Sequence, residues 1–283
     1  MWIMYAIASV VLLSLSTVFL KHGAKRTDAS VVTALRTLVT VTFMWVFIIS
    51  NDFTVRLPSI GSSSFLYIFL TGVAMFAAFL SLHISLKNSD VTRATALKSL
   101  STVLMMAAAC FVHQNTNNYY LRIICMVLIT VGILFAISKK SRSNNKWLLY
   151  GILSAVSLLA TYILGNEITA VSGLICLTLV LTVVLIVSLI AVFIRGIQRG
   201  IGRVSASELM FILLSGITAA LSWLCFRNAI YDGDFNTTLA IMGATVATSA
   251  GLGSLFLKEK VSWKTISGIL LIITGTLVYI FAV

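Results

Sequence analysis

Ten long apolar runs follow one another along this 283-residue chain, each close to the roughly 20 residues that an α-helix needs to cross a bilayer. A soluble domain cannot bury all of them, because 59% of the residues are hydrophobic and only 10% are charged. We therefore predict an all-α polytopic membrane protein with ten transmembrane helices. The predicted helices are Trp2–Leu20, Val31–Ser50, Ser64–Leu86, Val91–Val112, Tyr119–Ser138, Trp147–Gly165, Ile168–Ile194, Leu209–Ile230, Phe235–Leu257 and Trp263–Val283. No cationic segment precedes the first run, so we expect a retained helix and not a signal peptide.

A polar loop divides the ten runs into two sets of five that resemble each other. The predicted units are a first repeat, residues 1–138, a connecting loop, residues 139–146, and a second repeat, residues 147–283. The run Trp-Ile-Met-Tyr that begins at Trp2 matches Trp-Leu-Leu-Tyr from Trp147, and Asp90 matches Asp234. Five is an odd number, so the second repeat is expected to lie inverted in the membrane, as in secondary transporters. The alternative is a chance similarity between two apolar segments.

The basic residues predict the orientation. Fifteen of them fall at the loops that follow odd-numbered predicted helices: Lys21, Lys25, Arg26, Lys87, Arg93, Lys139, Lys140, Arg142, Lys146, Arg195, Arg199, Arg203, Lys258, Lys260 and Lys264. Three lie on the opposite side: Arg56, Arg122 and Arg227. Because positive loops stay inside, the odd loops are predicted to be cytoplasmic and both termini external, in a cell (inner) membrane.

Several other classes of protein find no support in the sequence. The net charge of +12 does not indicate nucleic-acid binding, because the basic residues form no continuous stripe. The four cysteines, Cys110, Cys125, Cys176 and Cys225, have no paired spacing, and the three histidines are scattered. No nucleotide-binding loop and no nucleophile–base pair is present. We therefore predict no metal, no cofactor and no enzymatic activity; membrane lipids are the expected surroundings.

Lys98 is a charged residue well inside the fourth predicted helix. A charge in hydrocarbon costs several kcal/mol and usually faces the interior of a helix bundle. Helical spacing places Ser101, Thr102 and Met105 on the same face as Lys98. We predict that this face lines a pathway; the alternative is that the long lysine side chain reaches the membrane interface.

Other residues are weaker candidates for the same pathway. Arg36 lies at a similar depth in the second helix, and snorkelling to the interface explains it at least as well. If Arg36 joins Lys98, the two cations form an electropositive pocket for a carboxylate or phosphate. The remaining candidate substrate contacts are His83, Phe79, Trp223, Met242 and Thr245. Met242 is the counterpart of Lys98 in the second repeat, and Phe79 is the counterpart of Trp223.

Each of these further candidates has an alternative structural explanation. His83 is explained as a satisfied polar residue near a helix end, and the aromatic residues as interfacial anchors. Thr245 lies among small residues whose spacing is typical of close helix packing. Arg227, Asp232 and Asp234 cluster at the end of the eighth helix, on the face opposite the odd loops, where they form either an ion-paired outer gate or a solvated turn.

Three blocks of sequence resemble one family. They are Ala34–Val39, Ser215–Gly216 with Leu221–Ala229 and Asp232–Asp234, and Phe256–Ser262 with Ile272–Leu277. They resemble EamA-type members of the drug/metabolite transporter superfamily, whose last block contains a glutamate turn and a glycine-bearing last helix. In the first repeat that turn is replaced by His113–Asn118, which contains no acidic residue.

The resemblance implies a ten-helix alternating-access carrier with a central cavity lined by the third, fourth, eighth and ninth helices. It also implies cytoplasmic termini, opposite to the prediction from charge. The first helix lacks the glutamate with which small multidrug-resistance relatives exchange cations for protons, so that mechanism is not expected.

Three functions remain open at this point. The first is a secondary transporter for a small anionic or zwitterionic, amino-acid-like metabolite. Proton coupling is possible in this case, because a desolvated lysine can release its proton near neutrality. The second is a flippase for a lipid-linked phosphosugar, whose headgroup would use the same lysine. The third is a membrane scaffold or sensor that transports nothing. The sequence leaves the oligomeric state open.

Overall fold

A computed structural model describes residues 1–51, 61–112, 119–137, 145–168, 173–197, 204–233 and 235–282, and all regular structure in these ranges is helical. The helices are α1 (Trp2–Gly23), α2 (Ala29–Ser50), α3 (Ser62–Asn88), α4 (Val91–Val112), α5 (Tyr119–Ile137), α6 (Lys146–Asn166), α7 (Gly173–Ile194), α8 (Ala206–Asp232), α9 (Phe235–Gly243), α10 (Thr245–Leu257) and α11 (Trp263–Ala282). The predicted fold class is confirmed.

Among the described residues, nine helical spans are long and apolar enough to cross a membrane, with α9 and α10 together forming one of them. The exception is α4, which is 22 residues long but contains Arg93 and Lys98 among several hydroxyl side chains. α4 is the least apolar of the ten spans because it lies in the middle of the bundle, where Thr92, Thr95 and Ser99 are buried.

Two predicted boundaries were wrong. The seventh helix begins at Gly173 and not at Ile168, which precedes it as non-helical chain. The ninth helix is not continuous, because Ala244 separates α9 from α10. At this point the amide of Ala244 donates to the carbonyl of Ile241 (2.9 Å), three residues back, instead of to Ala240. Thr276 Oγ1 donates to the released Ala240 carbonyl (3.1 Å), so the interruption leaves that acceptor satisfied.

The packing repeats between the two halves. The largest helix contacts pair α1 with α8 and α3 with α6, which are corresponding pairs in an inverted repeat. Ser9 Oγ donates to the Ser222 carbonyl (2.9 Å), and Ser154 Oγ donates to the Ala78 carbonyl (3.0 Å). Hydroxyl–carbonyl bonds of this kind hold helices together where no hydrophobic force acts between them.

One glycine in each half packs closely against a neighbouring helix, and the two contacts correspond. A Cβ atom on Gly72 would lie 2.6 Å from Val183 Cβ and 3.2 Å from the Val180 carbonyl. A Cβ atom on Gly216 would lie 2.8 Å from Val39 Cβ and 2.9 Å from the Arg36 carbonyl. The contact of α3 with α7 is therefore the counterpart of the contact of α8 with α2.

The surface of this bundle is apolar and its centre contains polar groups. Exposed large side chains include Ile123, Ile124 and Leu134 on α5 and Ile186, Ile190 and Phe193 on α7. Buried polar side chains on α1, α2, α4 and α8 include serines, threonines and Arg36. This arrangement, the reverse of a soluble protein, is expected for a polytopic protein in lipid.

Candidate functional site

Two connected chambers lie at the centre of the bundle. The inner chamber has a volume of about 220 Å³, and the outer chamber has a volume of about 620 Å³. The walls of both include Met75, Thr161, Trp223, Phe226 and Phe235. The outer chamber also reaches the ends of α6 and α8 and the beginning of α7, so it opens at the side where the chain termini lie, which we call the terminal face.

The wall of the inner chamber is mostly apolar, with hydroxyl groups and one charge. It is lined by Ser9, Leu13, Met75, Phe79, Lys98, Ser101, Thr102, Met105, Leu158, Thr161, Tyr162, Ser222, Trp223, Phe226, Phe235, Leu239 and Met242. Of the residues predicted as substrate contacts, the structure brings Lys98, Ser101, Thr102, Phe79, Trp223 and Met242 together here.

Lys98 is half-buried, and among the described residues its ammonium makes no hydrogen bond or ion pair. None of the described residues that line either chamber is acidic. Arg36, which is buried behind the Phe79 ring of this wall, adds a second positive charge to the region. Within the described structure, Lys98 therefore places a positive charge in the wall of the inner chamber with no acidic residue beside it there.

Arg36 and His83 lie behind the wall of the inner chamber and not in it. Arg36 is 7% exposed, and its guanidinium lies over the ring of Phe79 at 5.4 Å. One of its nitrogens donates to Ser16 Oγ (3.2 Å) and another bonds to His83 Nε2 (3.4 Å). Phe79 thus has one side toward the chamber and the other toward a buried cation.

The hydrogen bonds around His83 determine its tautomer. Thr33 Oγ1 donates its proton to the Ala29 carbonyl (2.7 Å), so it accepts from His83 Nδ1 (2.6 Å). His83 Nε2 is then the acceptor for Arg36. A neutral imidazole is compatible with each of these hydrogen bonds. Together the bonds hold Arg36 in its position behind Phe79.

Thr245 on α10, the last of the nine predicted substrate contacts, also lies outside the chamber wall. It is 8% exposed and its Oγ1 donates to the Met242 carbonyl (2.8 Å). Ser99 Oγ lies 3.4 Å from Thr245 Oγ1, where α4 approaches α10. In the structure Thr245 contacts helices and not the open space.

Aromatic residues surround the passage between the chambers. The rings of Tyr162 and Phe235 are stacked with centroids 5.4 Å apart, and Trp223 meets Phe226 edge-on at 5.9 Å. Arg227 lines the outer chamber with its guanidinium 5.6 Å from the ring centroid of Tyr231.

The predicted outer gate can be described in part. Arg227 and Asp232 form no ion pair with each other in the part of the chain that the structure describes, and Asp232 is exposed. Asp234 lies outside the described residues. The gate therefore remains a prediction.

On the opposite side of the bundle, which we call the odd-loop face, the described residues close the way to the chambers. Lys21 Nζ forms an ion pair with Glu259 Oε1 (2.7 Å) and donates to the Ser89 carbonyl (2.6 Å). The amide of Val91, the first residue of α4, donates to both carboxylate oxygens of Glu259 (3.1 and 3.0 Å). We call Lys21, Ser89, Val91 and Glu259 the Glu259 cluster.

Beneath the Glu259 cluster lies a tightly packed apolar layer that separates it from the inner chamber. This layer, the apolar plug, contains Val18, Leu20, Leu82, Leu86, Val91, Ala94 and Ile212. Ala94 is 0% exposed and lies one helical turn from Lys98 toward the odd-loop face. The chambers therefore communicate with the terminal face alone within the described structure.

Sequence reasoning missed several residues of the inner wall, among them Ser9, Tyr162, Ser222 and Phe235. Ser9 and Ser222 bond each other's carbonyls at 2.9 Å, which brings α1 into the cavity wall. A signal was present, since Ser9, Ser14 and Ser16 are hydroxyls in an otherwise apolar span. Among the described residues, no group of three or more His, Cys, Asp or Glu side chains could hold a metal ion.

Comparison with known families shows to which family the chain belongs. The sequence model of the EamA-like transporter family matches residues 1–138 and 145–281. The chain is a member of the EamA-like transporter family. This agrees with the resemblance read from the sequence and with a multi-pass membrane protein of the drug/metabolite transporter superfamily. No curated protein sequence matches the chain.

A structural comparison supports the fold of this family member. One protein of known crystal structure superposes with a TM-score of 0.73 at 13% sequence identity. The superposition covers 97% of this chain and 95% of the other. At this low identity the likeness concerns the fold alone, and it extends over both repeats.

Proposed function

We propose that this EamA family member is a secondary transporter that moves a small anionic or zwitterionic, amino-acid-like metabolite by alternating access. The observation that supports this most directly is the half-buried ammonium of Lys98, which faces the inner chamber without a partner among the described residues. A substrate carboxylate would provide the missing countercharge. Hydrogen bonds to charged groups contribute about 1.5–3 kcal/mol each.

The neighbouring charges favour an anionic group over a cationic one. Arg36 lies behind the Phe79 ring of the inner wall, Arg227 lines the outer chamber, and neither chamber has an acidic wall residue among those described. A cationic substrate would meet repulsion at each step and no acceptor with a full negative charge. The hydroxyls of Ser101 and Thr102 would bind the remaining oxygen atoms of a carboxylate.

The size of the inner chamber favours a small substrate. Its volume of about 220 Å³ is below the roughly 300–1,000 Å³ that is usual for sites of drug-sized ligands. The wall away from Lys98 is apolar, with Met105, Leu239 and Met242. An amino-acid-like molecule would place its charged end at Lys98 and its apolar end against this wall.

The orientation in the membrane completes the proposal. The odd-loop face, with its excess of Lys and Arg, is cytoplasmic, and the open terminal face is external in the cell (inner) membrane. Single cysteines at Lys25 and Asn166, exposed residues on the two faces, test this with a membrane-impermeant thiol reagent on intact cells. Labelling of K25C and not N166C would reverse the orientation.

Transport in proteoliposomes tests the function. A thermal-shift screen against amino acids, nucleotides, sugar phosphates and amines first selects ligands, and uptake of the stabilising ones is then measured with and without imposed pH gradients. We expect carboxylate-containing ligands to be transported and their decarboxylated amines to be inactive. A Lys98→Ala protein that transports at the unaltered rate would contradict the proposal.

The same assay separates the other functions. Transport that increases with the length of a lipid chain on the substrate would indicate a flippase. An absence of transport across the whole panel would favour a scaffold or sensor. A response to the pH gradient of either sign would show proton coupling, for which protonation and deprotonation of Lys98 is the proposed route.

A further inference from the structure

The Glu259 cluster joins three separate parts of the chain at the odd-loop face. Lys21 belongs to the end of α1, Val91 begins α4, and Glu259 lies in the turn after α10. One carboxylate accepts from the Lys21 ammonium at 2.7 Å and from the Val91 amide at 3.1 and 3.0 Å. All of these contacts must separate before α1, α4 and α10 can move apart at this face.

The surroundings of Glu259 favour a strong interaction. The side chains of Lys21 and Glu259 are 21% and 11% exposed, so water screens them only partly. The carboxylate also lies at the N-terminal end of α4, where the helix dipole favours negative charge. Because neither partner is fully buried, the pair keeps part of its hydration and avoids the full desolvation penalty of a buried ion pair.

The local chain geometry places Glu259 for this role. Lys258 ends α10 in a left-handed conformation with φ 54°, and the amide of Glu259 donates to the Gly253 carbonyl (3.2 Å). A Cβ atom on Gly253 would lie 3.2 Å from Glu259 Oε2. The small residue at position 253 therefore leaves room for the carboxylate to turn toward α4.

The sequence provides no counterpart of this ion pair at the terminal face. By the correspondence of the two repeats, the position of Lys21 is occupied by Asn166, a neutral residue. The turn that corresponds to Glu259, residues 113–118, contains no acidic residue in the sequence and lies outside the described residues. The face that has the ion pair is closed, and the face that lacks its counterparts is open.

We propose that Lys21 and Glu259 form a one-sided electrostatic latch that stabilises the state open to the terminal face and separates when the cavity opens to the odd-loop face. The proposal rests on alternating access as part of the proposed function. Because the latch lies at one face alone, it gives this carrier a preferred resting state. It thereby influences the affinity of each face for substrate.

α4 connects the latch to the substrate site. The Val91 amide, which donates to Glu259, belongs to the first turn of α4. Lys98 faces the inner chamber two turns later on the same helix. Ala94 lies between them in the apolar plug. Movement of the α4 N-terminus away from Glu259 would open the plug beside Ala94 and leave Lys98 accessible from the odd-loop face.

Cysteine labelling in lipid nanodiscs tests the latch, because both faces are accessible there. The background has its native cysteines, Cys110, Cys125, Cys176 and Cys225, replaced by serine or alanine. One reporter is A94C in the plug, and the other is T161C in the wall shared by the two chambers. Each is combined with E259Q, which keeps an acceptor for Val91, or with K21M, and reacted with a charged methanethiosulfonate.

We expect A94C labelling to accelerate about fivefold or more in both variants, the range of typical conformational coupling, while T161C labelling slows. K87M is the matched control, because Lys87 on the same face donates to the Thr27 carbonyl (3.1 Å) and forms no ion pair in the described structure. It should leave both rates unchanged. In the double variant K21M/E259Q the acceleration should equal that of either single variant.

Any other pattern would overturn the proposal. Faster labelling at both reporters would mean general loosening, and unchanged labelling of A94C would mean that the ion pair does not determine the state. K21M retains the Glu259–Val91 contacts and is the deciding variant if E259Q does not assemble. The measurement uses no substrate, so its failure leaves the transport proposal intact, and failure of transport leaves the labelling result interpretable.

Discussion

At one place in the cavity wall the first repeat presents Lys98 on α4, and at the corresponding place the second repeat presents Met242 on α9. One layer further out, Arg36 on α2 corresponds to Val180 on α7, which lines the outer chamber. The backbone packing around Arg36 and Val180 is alike, as the close approaches of Gly216 and Gly72 show. The two walls therefore have the same architecture and opposite character, one cationic and one apolar.

This difference distinguishes the residues that pack the helices together from the residues that determine what the cavity can bind. Glycines and serines at the helix contacts occur in both halves, because both must pack in the same way. Among the described residues of the inner chamber, a charge occurs in the first half alone, at Lys98, as the proposed substrate with one charged end would require. Replacing residues in matched pairs across the repeats tests this separation.

The largest effect is expected from Lys98→Ala. Loss of the only charged wall residue of the inner chamber among those described should lower transport kcat/KM about 100-fold, the equivalent of one charge-assisted contact of about 3 kcal/mol. Met242→Leu is the matched control in the second repeat, and should retain nearly full transport because the volume is similar. The rate of uptake by proteoliposomes is measured at equal protein content. Equal losses in Lys98→Ala and Met242→Leu would contradict a functional difference between the two walls.

Moving the charge to the other wall sharpens the comparison. Met242 faces the same inner chamber as Lys98, so K98M/M242K should recover transport at least about tenfold relative to K98M, since one charge-assisted contact is restored. The same uptake assay measures it. No recovery would show that the position of the charge, beside Arg36, matters as much as its presence.

Substitution of the two corresponding glycines should destabilise the protein to a similar extent in both halves. G72A and G216A each place a Cβ atom within 3 Å of a valine, and should each lower the free energy of unfolding by about 1–3 kcal/mol. G251A is the control, because a Cβ atom there meets nothing within 4 Å. Thermal unfolding followed by intrinsic fluorescence in detergent measures this, and a large effect in only one half would contradict the shared architecture.

The smallest effects are expected at the serines. S9A and S154A each remove one interhelical hydrogen bond, which in membrane proteins contributes about 0.6 kcal/mol on average. Their melting temperatures should fall by similar, small amounts. Only S9A should also change transport, because Ser9 lines the inner chamber and Ser154 does not. An equal change in transport in S9A and S154A would show that the effect comes from helix packing.

The helices and the face of Lys98 were predictable because both follow from local periodicity. Apolar runs of membrane length define spans, and the spacing of Lys98, Ser101 and Thr102 defines a face. The same reasoning could not place Arg36 and His83 behind Phe79, because that depends on contacts between α2 and α3. A single sequence contains no information on which of two buried polar residues lies nearer the open space.

The interruption at Ala244 was missed for a related reason. No proline occurs there, and although Gly243 precedes the interruption, a single glycine is tolerated within a helix, so the sequence of the ninth span is compatible with a continuous helix. The alternative bonding depends on Thr276, which belongs to α11 and supplies a hydroxyl to the Ala240 carbonyl. A tertiary hydrogen bond of this kind leaves no local pattern in the chain.

The discontinuity between α9 and α10 has a mechanical consequence. α9 contributes Phe235, Leu239 and Met242 to the inner chamber, whereas α10 leads to the turn of Glu259 at the closed face. With one main-chain bond replaced by a side-chain hydroxyl, the span can bend at Ala244 by rotating a few torsions there while both segments stay helical. In the proposed transport cycle, a bend at Ala244 would let the segment at the inner chamber and the segment that leads to Glu259 change orientation separately.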